Sequence, residues 1–270
     1  MTSDGRATTL RTYRDAGTLW LTLDGERVRN AVDDDVYRAM AHELQQAERD
    51  STIRAVALTG SGTAFCAGMN LNAMVSTSAD PVTARQQVLL GARVLQQLRD
   101  LVKPTVAVVN GVAAGAGLGL VAACDVAVAV ESAVFAVPEV RVGLIAGVVA
   151  PLLIEAVGYR TAKRLLLVGD RIDAETALRF GLVHAIATDR TDAVRVAENY
   201  LAQLHLGGPR ALAETKRFLA ATRGAVMSEA DLPSIASRVV DVRSSPEAIA
   251  AMQARLAKQP IQWELVRQES

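Results

Sequence analysis

Short apolar runs and amphipathic stretches alternate along the first two thirds of the chain. Residues 17–25 alternate apolar and polar positions, which predicts a strand, and residues 32–50 repeat apolar positions at helical spacing with acidic residues in the first turn. Residues 53–60 and 103–111 are apolar runs that end at glycine, as buried strands do, and residues 83–101 between them form an amphipathic helical pattern. This order predicts an α/β fold with parallel strand pairing.

The pattern changes near residue 190. The last stretch with strand character is GLVHAIAT, residues 181–188, and from Asp192 to the C-terminus the pattern is helical. Its breaks fall at residues 206–210, Pro233, residues 244–247 and Pro260. We therefore predict an α/β core over residues 1–190 and a helical C-terminal region over residues 191–270.

Composition and charge narrow the class of protein. Half of the 270 residues are hydrophobic and 29 basic residues balance 29 acidic ones, so charge gives no reason to expect nucleic acid or an anionic membrane as partner. Cys66 and Cys124 lie far apart in apolar surroundings, which is typical of buried, reduced thiols. The N-terminal residues contain no apolar run of the kind found in signal peptides, so we expect a cytoplasmic protein.

Residues 108–125, VVNGVAAGAGLGLVAACD, are rich in glycine and nearly free of charge. The apolar region around them is long enough for a membrane span, but it contains Asn110, Asp125 and four glycines and has no flanking anchors. The third glycine of a dinucleotide-binding motif is missing, and no Lys-Ser/Thr pair follows as in a phosphate-binding loop. What remains is a turn that directs backbone amides outward at a strand end.

A second glycine-containing loop has the same placement. Residues 59–74 follow the predicted strand at 53–59, and residues 110–120 follow the strand at 105–109. Open parallel sheets bind ligands outside the carboxyl ends of their strands. Two amides converging there on one oxygen would form an oxyanion hole. The alternative is that the small residues only permit tight packing between strand and helix.

Four motifs together resemble the crotonase superfamily, also called the enoyl-CoA hydratase/isomerase family, in its order and spacing. They are AFCAGMNL (64–71), VNGVAAGAGLGLVAACDVAVA (109–129), AVFAVPEVRVGL (133–144) and GDRIDAETALRFGLVHAI (169–186). The resemblance covers essentially the whole chain. It implies a spiral of ββα units with a C-terminal helical trimerisation region, and a homotrimer or dimer of trimers. It also implies an acyl-CoA thioester substrate, with coenzyme A entering as part of that substrate and no separate cofactor.

The resemblance carries roles onto particular positions. It implies that the oxyanion amides are those of Met69 and Ala116, which can stabilise the charge that develops on a thioester oxygen. Positions that border the coenzyme A moiety in the family are Arg29, Ala31, Ala67, Asn70 and Leu71. For Arg29, a solvated surface charge is the competing interpretation.

The carboxylates depart from the family's hydratase pattern. Family hydratases use two glutamates, of which the second is present as Glu139 and the first falls on Gly119. One glutamate can still take a proton from C2, the carbon next to the thioester carbonyl, and return it to C4, as a double-bond isomerase does. Hydration stays open, and so does a non-catalytic acyl-CoA-binding protein on the same fold. Asp125 and Glu131 are nearby in sequence but are more typical of a strand-end and a surface acid.

The histidines, Gly147 and one polar segment bear on other features of the protein. The three histidines, His42, His184 and His205, do not have the spacing of metal ligands, so no metal site is expected.

Gly147 stands where dehalogenase-type relatives carry an aspartate nucleophile, which argues against dehalogenation. Residues 74–87 are rich in Ser, Asp and Pro and predict a mobile loop that shapes the acyl pocket.

Overall fold

The computed structural model describes residues 7–222 and 229–263, and these form ten strands and eleven helices. The strands are β1 (Thr9–Asp15), β2 (Thr18–Asp24), β3 (Ala55–Gly60), β4 (Ala64–Cys66), β5 (Thr105–Val109), β6 (Val112–Ala114), β7 (Val126–Val130), β8 (Val134–Ala136), β9 (Arg171–Asp173) and β10 (Ala185–Ala187). The helices are α1 (Asp34–Arg49), α2 (Leu71–Thr77), α3 (Pro81–Asp100), α4 (Ala116–Ala123), α5 (Ala150–Val157), α6 (Tyr159–Val168), α7 (Ala174–Arg179), α8 (Arg190–His205), α9 (Pro209–Ala221), α10 (Leu232–Arg243) and α11 (Pro246–Leu256). The first six residues, which belong to the N-terminal segment used for the expected location, lie outside the described residues.

The larger sheet has six strands in the order β1-β2-β3-β5-β7-β10. All neighbours in it pair in parallel except β1, which is antiparallel to β2. The predicted α/β fold with parallel pairing is confirmed. Strand β1 was missed by the sequence pattern because most of its side chains are exposed and polar positions dominate it.

A second, four-stranded sheet has the order β4-β6-β8-β9. Strands β4, β6 and β8 each follow a strand of the larger sheet after a short connection, so the chain repeats a ββα unit along a spiral. This is the crotonase-like fold that the resemblance implied. The pattern of hydrophobic residues did not predict these strands, because three residues are too few to show a period. Their carboxyl ends lie side by side, and the turns that follow them therefore meet.

Helices α1 and α3 form one wall beside these turns. Helix α1 is capped by Asp33, whose carboxylate accepts hydrogen bonds from the N–H groups of Asp35 and Val36. Helix α3 begins with Pro81, after the capping carboxylate of Asp80. Both helices bury an apolar face at helical spacing, as the sequence predicted.

The loop predicted for residues 74–87 is wrong. Helix α2 extends to Thr77, and α3 starts at Pro81, so only residues 78–80 connect them. The polar residues and the proline that suggested a loop serve instead as helix ends. Asn70 caps α2 by accepting from the N–H groups of Asn72 and Ala73.

After β10 the described elements are all helices. Helix α8 buries Ala193, Ala197 and Leu201, whereas α9, α10 and α11 have no buried residue. Residues 223–228 and 264–270 of the predicted helical region lie outside the described residues. No described helix has both the length and the apolar character required to cross a membrane. The long apolar stretch around residues 106–130 is divided into β5, β6, α4 and β7.

Candidate active site

A cavity of about 620 Å³ lies where the three turns meet. It is lined by residues of the turns that follow β4, β6 and β8, among them Met69, Ala116 and Glu139, and by one face of α3. Residues far apart in sequence thus share one space because the parallel strands of the smaller sheet end at the same edge.

Met69 and Ala116 lie in two neighbouring turns that line this cavity. Each follows a glycine with positive φ, Gly68 at 105° and Gly115 at 51°. A Cβ atom built on Gly68 would lie 3.7 Å from the Ala116 nitrogen, so the two turns are in contact. Among the described residues neither N–H has an acceptor, and Ala116 is the first residue of α4, where N–H groups have no partner within the helix. This arrangement suits an oxyanion.

Glu139 lies beside these amides. It opens a short 3-10 turn, Glu139–Val142, after Pro138, and is half-buried. Its Oε1 would be 2.9 Å from a Cβ atom on Gly115, and its buried Oε2 has no hydrogen-bond partner among the described residues. Burial raises the pKa of Glu139, an effect opposed only in part by a hydrogen bond from its own backbone N–H. A carboxylate with a free Oε2 and a raised pKa, beside the turn that carries Ala116, has the properties of a general base.

Comparison with known proteins agrees with this geometry. The family model described as enoyl-CoA hydratase/isomerase matches residues 14–264. The chain belongs to the enoyl-CoA hydratase/isomerase family. It is 34% identical to 1,2-epoxyphenylacetyl-CoA isomerase of Escherichia coli over 181 residues, which cover 65% of this chain and 68% of that protein. It is 28% identical to an enoyl-CoA hydratase of Alternaria alternata over 263 residues, or 97% of this chain and 87% of the relative.

Solved structures of the family have the same fold. The crystal structure of an enoyl-CoA hydratase from Shewanella pealeana superposes with a TM-score of 0.91 at 29% identity, covering 96% of this chain and 97% of the other. The expected membership of the crotonase superfamily is therefore confirmed.

Gly119, which stands where the resemblance places the first glutamate of hydratases, packs closely against two side chains. A Cβ atom on Gly119 would lie 3.1 Å from Cγ2 of Val149 and 3.2 Å from Cδ1 of Leu95. Both side chains line the cavity, and they would have to shift by a few tenths of an ångström to admit a side chain at 119. Glu139 is the one acidic side chain among the described residues that line this cavity.

The residues expected to border coenzyme A occupy several places. Ala67 and Leu71 line the main cavity, and Arg29 lines a neighbouring cavity of about 320 Å³. Ala31 and Asn70 are not among the described residues that line either cavity. The Arg29 carbonyl nevertheless accepts a hydrogen bond from the Ala67 N–H at 3.0 Å, so these two segments of the family motif are joined.

The smaller cavity carries positive charge. It contains Arg29, Arg141 and Arg171, and it shares Pro138 and Arg141 with the main cavity. The remaining wall is one face of the smaller sheet, formed by Val112, Ala114, Val134 and Ala136. Arg29 and Arg171 are exposed and have no acidic partner among the described residues. An anionic group placed here would meet two available guanidinium groups.

Sequence reasoning missed two buried asparagines that support the site. The Nδ2 group of Asn30 donates to the carbonyls of Ser61 and Ala64, at 2.9 and 2.7 Å. The Nδ2 group of Asn110 donates to the carbonyls of Gly62 and Ala64, at 3.0 and 3.1 Å. The two side chains converge on β4, whose following turn carries Met69. They hold the connection between β3 and β4, and the start of β4, against the core.

A local signal for Asn30 was present in the sequence. Arg29 and Asn30 both have positive φ, at 52° and 57°, and asparagine adopts this conformation more readily than most residues. For Asn110, the position directly after a predicted buried strand was the available signal. Neither pattern shows by itself which carbonyl the side chain reaches.

The other acids and the cysteines have structural surroundings. The Asp125 carboxylate accepts hydrogen bonds from Thr105 and pairs with Lys216, and Glu131 is exposed. Both therefore have the strand-end and surface roles expected for them. Cys66 and Cys124 are free thiols, also as expected, and burial raises the pKa of each to about 12, which keeps them protonated and unreactive at neutral pH.

Proposed function

We propose that this protein shifts the double bond of an enoyl-CoA thioester, with Glu139 as the acid and base and the amides of Met69 and Ala116 as the oxyanion hole. The observation that carries the proposal is that Glu139 is the one carboxylate among the described residues that line the cavity. Its Oε2 has no partner among those residues, and its Oε1 lies over Gly115, next to the Ala116 amide. Hydration by two glutamates lacks the first of them, because Gly119 takes that position, and the side chains of Val149 and Leu95 pack closely against it.

The proposed reaction uses these groups in order. The Glu139 carboxylate removes a proton from C2 of a 3-enoyl-CoA, and the electron pair moves onto the thioester oxygen, giving a dienolate. The two amides stabilise that oxygen, and their free N–H groups need no rearrangement to do so. The protonated glutamate then returns its proton to C4, leaving the double bond between C2 and C3. Because all electrons stay within the substrate, no separate cofactor is required.

Hydration is the second candidate. It is favoured by the names of the Alternaria alternata relative and of the Shewanella pealeana structure, both of which are called enoyl-CoA hydratases. In that reaction Glu139 would have to activate the water and manage the proton at C2 alone. The third candidate is a protein that binds acyl-CoA without transforming it, and the missing first glutamate supports it.

One absorbance experiment separates the three candidates. A conjugated 2-enoyl thioester absorbs in the near ultraviolet, and its unconjugated 3-enoyl isomer lacks this band. Rising absorbance with a 3-enoyl-CoA indicates isomerisation, and falling absorbance with a 2-enoyl-CoA indicates hydration. If neither changes while acyl-CoA thioesters bind tightly, the protein is a binding protein and the proposal fails.

Arg29→Ala is expected to weaken binding of the coenzyme A moiety. Arg29 is exposed, has no acidic partner among the described residues and lines the smaller cavity. Its carbonyl accepts a hydrogen bond from Ala67, which lines the main cavity, so we propose that Arg29 contacts phosphate groups of coenzyme A. Steady-state kinetics should show KM raised by about fivefold with kcat unchanged, and a smaller difference at high salt. Arg27→Ala is the matched control, since Arg27 is exposed on the same turn and lines neither cavity. Equal KM values for both variants would contradict this role.

We also propose a homotrimer or a dimer of trimers. Helices α9, α10 and α11 have no buried residue, and several large apolar side chains on them are exposed. They are Leu219, Leu232, Val239, Val240, Ile249, Met252 and Leu256. Such a surface is typical of a subunit interface. Sedimentation equilibrium should give three or six times the 28.6 kDa chain mass, whereas a monomer at micromolar concentration would refute the assembly.

The proposed location is the cytoplasm. Both cysteines are free thiols in separate parts of the fold, which suits a reducing compartment.

A further inference from the structure

The hydroxyl of Tyr37 lies in the cavity without a partner. Tyr37 is on α1, only 2% of its surface is exposed, and its side chain lines the main cavity. None of the described residues forms a hydrogen bond with the hydroxyl. Burial raises the pKa of Tyr37, so the group is a neutral O–H that can donate or accept. Buried hydroxyls normally have partners, and this one is free to meet a ligand.

The position of this hydroxyl is set by Gly91 on α3. A Cβ atom built on Gly91 would lie 3.1 Å from Cε2 of Tyr37 and 3.4 Å from its hydroxyl oxygen. The edge of the ring therefore packs directly against the helix backbone. Because a larger residue at 91 would push the ring away, the glycine holds the hydroxyl at the α3 wall of the cavity.

Gln87 provides a second polar group on the same wall. It lies one helical turn before Gly91, is 8% exposed and lines the cavity. Its Oε1 accepts a hydrogen bond from the Thr77 hydroxyl at 3.3 Å. The Thr77 hydroxyl has one proton and also lies 3.2 and 3.1 Å from the carbonyls of Ala73 and Met74, and it contacts the amide only at this oxygen. The NH2 end has no acceptor among the described residues, so it is available as a donor.

The surroundings of this pair on α2 and α3 are apolar, and Arg141, from the turn after β8, is the one cationic residue among the described residues that line the cavity. The lining residues on these two helices include Leu71 and Met74 of α2 and Val88 and Leu95 of α3. Neither the Tyr37 hydroxyl nor the Gln87 NH2 group is among the fully buried unpaired atoms of the described residues, so both are open to the cavity. No cationic side chain of α1 or α3 is among the described residues that line the cavity, so these helices offer neutral donors only.

We infer that the acyl chain of the substrate carries a neutral oxygen function, a hydroxyl or a carbonyl, which accepts hydrogen bonds from Tyr37 and Gln87. These two residues would then select oxygenated acyl-CoA thioesters over hydrocarbon ones. The inference rests on the proposed function, because it takes this cavity as the acyl site. It concerns binding, and it can be tested without turnover.

The test measures Kd by calorimetry for saturated acyl-CoA thioesters that cannot react. One series carries a hydroxyl that moves one carbon at a time along the chain, and each member is compared with the hydrocarbon thioester of equal length. We expect at least one member to bind about tenfold more tightly than its hydrocarbon counterpart. Tyr37→Phe should remove most of this preference, and Gln87→Leu should reduce it. Tyr13→Phe is the control, since Tyr13 is 52% exposed and lines no part of the cavity.

Two results would overturn the inference. One is equal affinity for hydrocarbon and hydroxylated chains throughout the series. The other is a lower unfolding temperature of ligand-free Tyr37→Phe, because it would show that the hydroxyl already has a structural partner, whereas an unchanged or higher value supports the inference. Preference in binding without any turnover would refute the proposed reaction alone. Turnover of plain enoyl-CoA without preference would refute this inference alone.

Discussion

Glu139→Gln is expected to reduce turnover of enoyl-CoA by roughly 10³- to 10⁴-fold while leaving acyl-CoA binding nearly unchanged. The substitution keeps the shape of the side chain but removes its ability to take a proton. Since Glu139 is the one acidic group among the described residues lining the cavity, no neighbouring carboxylate is placed to replace it. Single-turnover absorbance and Kd for a saturated acyl-CoA measure the two quantities separately.

Glu131→Gln is the matched control for this variant. Glu131 is eight positions earlier, exposed and outside the cavity, so its loss should leave turnover unaltered. If Glu139→Gln turned over substrate as fast as Glu131→Gln, the proposed base would be wrong and the acyl-CoA-binding alternative would gain support.

The pH dependence of Glu139 has a definite sign. Burial raises its pKa above the ordinary value of 4.5, and the reaction needs the ionised form, so kcat/KM should rise with pH through a midpoint above 4.5. Stability should move the opposite way. A raised carboxyl pKa favours the protonated folded state, so the wild type loses stability as pH rises from the unfolded-state pKa through the folded-state pKa. Glu139→Gln has no carboxyl group to ionise and avoids this loss. Its unfolding temperature should therefore exceed that of the wild type only at pH values above the folded-state pKa of Glu139.

Gly115→Ala is expected to lower turnover by about 100-fold or more through two local effects. Gly115 has φ 51° and ψ −118°, a conformation that residues with a Cβ atom rarely adopt. The added methyl group would also lie 2.9 Å from Oε1 of Glu139. The carboxylate and the following Ala116 amide must both shift, so the base and the oxyanion hole are displaced together. Steady-state kinetics on the folded variant measure the effect.

Gly158→Ala separates backbone strain from displacement of the site. Gly158 has φ 76° and ψ 157°, between α5 and α6, and a Cβ atom there would have no neighbour within 4 Å. This variant should lose stability from strain alone and keep its turnover. If the two variants had equal turnover at equal folded fraction, Gly115 would have no special role in the site.

The long elements of the core were predictable from the chain because each one carries its own periodicity. The helices predicted at residues 32–50 and 83–101 correspond to Asp34–Arg49 and Pro81–Asp100, and the apolar run at 103–111 contains the strand Thr105–Val109. The loop predicted from Ser, Asp and Pro near residue 80 failed because those residues also suit helix ends, and local composition does not separate the two uses.

The sequence by itself determined the parallel α/β plan, the two glycine turns and the single glutamate, because glycine conformation, strand periodicity and residue identity are local properties. Only the tertiary structure decided what surrounds them. Val149 and Leu95 fill the space beside Gly119, and Tyr37 reaches the cavity against Gly91. These contacts join residues tens of positions apart. They depend on how α1, α3, α4 and the start of α5 pack on the smaller sheet, and three-residue strands leave no period in the sequence from which that packing could be derived.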